Sequence, residues 1–131
     1  MDARVALVAL ALLATPARAQ APAFDHAHAA WDTLVRKNVV LLEGGTASRL
    51  DYASMARERP ALDAYLDALS QVTQPAFDAW SRPQRMAFLI NAYNAFTVAK
   101  VLSRYPDIRS IWDFGKVFGN PFKDRFFMLL G

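Results

Sequence analysis

The longest unbroken apolar periodicity in the chain covers residues 81–105, SRPQRMAFLINAYNAFTVAKVLSRY. Ala87, Ile90, Asn91, Asn94, Val98, Val101 and Leu102 fall at three- and four-residue steps, and Phe88, Leu89, Tyr93 and Phe96 fill much of the remaining circumference. A helix that is apolar nearly all round is predicted to be buried on every side. Its ends are marked. Ser81 and Gln84 have the spacing of a capping box, and Pro83 sits in the first turn, where a missing N–H costs nothing. At the other end Pro106 pushes Tyr105 out of the α region. On this pattern Asn91 and Asn94, three residues apart, point the same way from inside a core. Asparagine is a poor helix former, and a buried amide without partners costs about 1–3 kcal/mol. The pair therefore either holds catalytic or substrate groups at one end of a cleft or bonds a neighbouring loop and fixes how it docks.

The rest of the pattern is also helical. Asp25 can cap a helix running to about Leu42, with Ala27, Trp31, Leu34 and Val35 on one stripe. Gly44-Gly45 marks a turn, and residues 49–52 form a short extended piece. Asp51 is placed to cap a brief helix from Tyr52 to about Arg59, or to orient a catalytic group. Pro60 opens the next helix, whose stripe is Leu62, Tyr65, Leu66, Leu69 and Val72. A short turn or helix over 75–80 leans Phe77 and Trp80 on the core, and Ser110 caps a turn over 111–114. Gly119-Asn120-Pro121 is a turn signal, and the apolar run 126–130 has the look of a strand. The expected fold is mainly α: four to five helices around a long central helix, as the helical half of an α+β domain.

Composition alters this picture at the N-terminus. Arg4, an apolar run over 5–14 and Ala17-Arg18-Ala19 have the order of a signal peptide over 1–19, with a run too short to span a bilayer. The expected layout is a signal peptide over 1–19, a flexible lead over 20–23 and one domain over 24–131, exported to a periplasm or secreted. Removing 1–19 takes away two arginines and one aspartate from a net charge of +3. The remaining Lys and Arg residues are scattered and form no stripe with aromatics, which argues against nucleic acid. There is no cysteine, so stability has to come from packing and thiol catalysis is excluded for this chain. His26 and His28, two apart, do not share a helix face, so a solvated or capping role is expected for them and no metal or cofactor.

The run Ala87-Phe88-Leu89-Ile90-Asn91-Ala92-Tyr93-Asn94-Ala95 resembles the signature of the DUF547 family, a domain of unknown function, in which it typically reads AFWINAYNA. Phe24-Asp25-His26 with Trp31 and Leu34, Leu50-Asp51-Tyr52, the stripe Leu62, Tyr65 and Leu69, and Tyr105-Pro106 with Ser110-Ile111 resemble further pieces in the same order. The likeness runs from about Phe24 to the last residue. The family pattern goes on to an I-E-H helix, a D-P-R-x-H-F stretch and a cysteine followed by S-C-P, none of which this chain contains, so the resemblance implies a domain incomplete at its C-terminus. It also implies kinship with papain-like and transglutaminase-like cysteine enzymes. Asn91, Asn94 and Asp51 are then candidate supporting residues, and Tyr52, Tyr93 and Trp31 candidate substrate contacts. The expected function is an exported domain without catalysis of its own. The alternatives are part of a cysteine hydrolase or transferase, or a protein-interaction module. A protein partner is expected to cover the run 126–130.

Overall fold

The computed structural model of the chain describes residues 23–115 and 127–130. The expected signal peptide over 1–19, most of the expected lead over 20–23 and the turn expected at 119–121 lie outside the described residues. Those described form a mainly α fold with five α-helices and one two-stranded sheet. The helices are α1 (Ala29–Asn38), α2 (Tyr52–Arg57), α3 (Arg59–Ser70), α4 (Gln74–Asp78) and α5 (Arg82–Leu102). Strands β1 (Val39–Leu42) and β2 (Ala47–Leu50) form an antiparallel hairpin.

Local chemistry sets most of the boundaries. The Ser81 side chain accepts from the Gln84 N–H and the Gln84 side chain accepts from the Ser81 N–H, so α5 opens on a reciprocal capping box. Asp51 accepts from the Ser54 N–H at 3.0 Å and starts α2. Thr73 caps α4, and Ser110 with Asp113 boxes a 3-10 turn over Ile111–Phe114. Pro60 lies in the first turn of α3.

Two boundaries of the first helix differ from expectation. Asp25 accepts from the Ala27 and Ala29 N–H groups, each at 2.9 Å, and builds a turn ahead of the helix rather than its cap. His28 then takes a left-handed conformation, φ 51°, and α1 begins at Ala29. At its far end α1 stops at Asn38 instead of running to Leu42. The buried Asn38 amide donates back to the Leu34 carbonyl at 2.9 Å, and the β-branched pair Val39-Val40 favours extended backbone. Gly44 and Gly45, at φ 67° and 94°, supply the left-handed turn that brings Leu42 opposite Ala47 and Val39 opposite Leu50.

Helix α3 packs against α1, α2 and α5. Its stripe Leu62, Tyr65, Leu66 and Leu69 is buried, and it joins Trp31 and Leu34 of α1, Met55 of α2, Phe77 of α4 and Phe88, Ala92 and Ala95 of α5 in one core. Phe24, Phe77, Trp80 and Phe88 form an aromatic cluster with ring centroids 5.3–5.7 Å apart.

Helix α5 is not buried all round. Phe88, Ala92 and Ala95 are fully covered, whereas Met86, Leu89, Ile90 and Tyr93 are 51%, 45%, 53% and 43% exposed. Steps of three and four place those four residues on one outer face. The periodicity is helical as expected, but the packing covers only one side. Nor do residues 127–130 form a strand. Leu130 makes one isolated parallel bridge to Thr73, Phe127 stacks on Phe96 at 4.4 Å, Leu129 and Leu130 lean on the core, and Met128 is exposed.

This one-sidedness separates two adjacent residues. Phe88→Ala should destabilise the protein by about 3–5 kcal/mol in denaturant unfolding. Leu89→Ala should stay within about 1 kcal/mol.

Candidate ligand-binding cleft

A cleft of about 690 Å³ opens between the segment 23–28, one face of α3 and the stretch 71–76. Ala61, Ala64 and Ala68 of α3 form its floor, and Phe24, Tyr65 and Trp80 are among its walls. Steps of three and four put those alanines on one helix face, and with only a Cβ each they leave the volume unfilled. Asp25, His26, Gln71 and Thr73 add polar groups to the lining.

The segment 23–28 is positioned by the Asp25 turn, which directs His28 inward. His28 is 5% exposed, and its Nδ1 shares a hydrogen bond of 2.7 Å with the Tyr65 hydroxyl. Phe24 meets the imidazole edge-on at 5.2 Å, and Trp31 stacks on Tyr65 at 5.8 Å. The His28 Nε2 is buried without a hydrogen-bond partner. Burial lowers the His28 pKa, opposed by the nearby Asp25 charge, so the imidazole is neutral near pH 7. Burial raises the Tyr65 pKa, and Asp25 adds to the effect, so the phenol keeps its proton. Asp25 itself is held low by the backbone N–H groups of Ala29 and Ala27 and stays ionised.

The lining offers a ligand aromatic surface and a few polar groups. The lining has no cysteine, and its one hydroxyl that could serve as an aliphatic nucleophile, Thr73, already accepts from the Ala76 N–H. Among the described residues no group of three or more His, Cys, Asp or Glu side chains could hold a metal ion.

The residues singled out from sequence are dispersed. Trp31 is buried behind Tyr65, one layer from the cleft. Asp51 caps α2, and its own N–H donates to the Asn38 carbonyl at 2.8 Å. Tyr52 is half-buried, stacks on Tyr105 at 6.4 Å, and has its pKa raised by burial. Tyr93 is exposed, with its carbonyl accepting from the Thr97 hydroxyl. The expectation of a core-locked amide pair is corrected: Asn91 is half-buried, Asn94 is exposed, and neither side chain has a partner among the described residues. Among the described residues they bond no neighbouring loop, and they do not line the cleft. His28, expected to be solvated or capping, does occupy the N-cap position of α1, but its side chain makes no cap bond and is buried. Its signal was Asp25 three residues earlier, a spacing that builds a turn and carries His28 under the aromatic cluster.

Comparison with protein-family models, with curated proteins and with solved structures finds no match to the chain. No helix among the described residues is long and apolar enough to cross a membrane.

The buried histidine makes stability depend on pH. Its folded pKa lies below the ordinary value of 6.5, so in the window between the two the unfolded chain binds more protons. The contribution is complete above about pH 6.5 and is lost as pH falls towards the folded pKa. Asparagine tolerates the left-handed backbone of position 28 but does not titrate. His28→Asn should therefore flatten the decline in unfolding free energy between about pH 7.5 and 5. Tyr65→Phe leaves Nδ1 unpaired as well and should cost about 1–3 kcal/mol by denaturant unfolding at neutral pH.

Proposed function

We propose that the chain is an exported, DUF547-like domain that performs no catalysis of its own and acts by engaging another protein through the outer face of α5. One observation carries the reading: Met86, Leu89, Ile90 and Tyr93 form a continuous exposed apolar row on the longest helix. Single exposed apolar residues are ordinary on protein surfaces, but a contiguous row is the mark of an interaction site. Anchors at these four spacings suit a partner that lays an apolar surface along a helix. The DUF547 likeness rests on the residue motifs quoted above, and export on the signal-peptide order of residues 1–19.

A second reading is supported by the amides. Asn91 and Asn94 have no partner among the described residues, and Asn94 is open to solvent. In a larger cysteine-dependent domain, a second layer laid over this helix would give both amides groups to orient or an oxyanion to hold.

A photo-crosslinking residue placed at Ile90 tests the interaction reading in cells that export the protein. A discrete adduct is expected from position 90, abolished by Tyr93→Glu and absent when the crosslinker is moved to exposed Asp67 on α3. Equal adducts from 67 and 90, or none from 90, would overturn it.

A further inference from the structure

We propose that the cleft beside His28 binds a small aromatic amine, a flat ring carrying an ammonium group. Volume and charge lead to this class independently of the α5 face. The volume of about 690 Å³ falls in the range of sites that enclose small ligands. Its floor is the alanine face of α3, which presents no side chain beyond Cβ and accepts a flat ring, and Phe24 and Trp80 offer aromatic surface beside it.

Charge selects the rest of the molecule. Among the described residues Asp25 is the one carboxylate in the lining, and no lysine or arginine lines the cleft. Both Asp25 oxygens accept backbone N–H groups, which fixes the carboxylate in place and leaves lone pairs for a further donor. A cation is the complement of this charge, and aromatic faces add attraction for it. A flat ring laid on the alanine floor with its ammonium towards Asp25 meets both requirements.

The test is calorimetric titration of the 131-residue chain with tryptamine, with indole-3-acetate as the charge-reversed control. Saturable one-site binding of tryptamine is expected, with indole-3-acetate at least about tenfold weaker. Asp25→Asn should weaken tryptamine by about tenfold or more, and Ala64→Phe, a filling substitution at an exposed position, should remove binding while leaving the circular dichroism unchanged. No saturable binding, equal affinity for indole-3-acetate, or unchanged affinity in the Ala64→Phe protein would each overturn the assignment.

Discussion

Helix α3 has to bury a stripe of four large side chains on one face while keeping alanines on another, and the described architecture follows from that division. Leu62, Tyr65, Leu66 and Leu69 draw α1, α2 and α5 around them. Ala92 and Ala95, fully buried on α5, present little bulk where the two helices share the core. Burial of large aliphatic and aromatic side chains is worth about 1.5–3 kcal/mol each. In a chain without cysteine, this packing takes the place of disulfides.

The same division creates both candidate surfaces. The alanine face of α3 cannot close against Phe24 and Trp80, so a cleft remains, and the Asp25 turn sets His28 at its edge. Tyr65 joins the two halves of the helix: its ring belongs to the core through Trp31, and its hydroxyl belongs to the cleft through His28. On α5, commitment of Phe88, Ala92 and Ala95 to the core turns residues 86, 89, 90 and 93 outward.

What could be read from the residues was mainly what depends on near neighbours. The Ser81–Gln84 box, the Asp51 and Ser110 caps, the place of Pro60 and the stripe of α3 each rest on residues within a few positions, and each forms as the spacing implied. The sidedness of α5 was not legible. Periodicity says which residues share a face but not which face a neighbour covers, and a helix with apolar residues all round gives no polar stripe to decide it. The first helix failed at both ends for local reasons of unequal visibility. Val39-Val40-Leu41-Leu42 fits a helix or a strand, and only pairing with 47–50 across the Gly-Gly turn selects the strand. The burial of His28 depends on its left-handed backbone, and Asp25, whose spacing builds the turn before it, fits a helix cap equally well. Of the candidate site residues, Trp31 lies next to the cleft, whereas Asp51, Tyr52, Tyr93, Asn91 and Asn94 sit elsewhere.

The central claim is that the longest helix is covered on one side and open along the other. Because the chain has no native cysteine, single cysteines can be placed along α5 and labelled with a maleimide under native conditions. Ile90→Cys and Asn94→Cys should label at rates close to those of the unfolded chain, and Ala95→Cys should be strongly protected. Equal protection at 90, 94 and 95 would show a helix enclosed on all sides and would contradict the account.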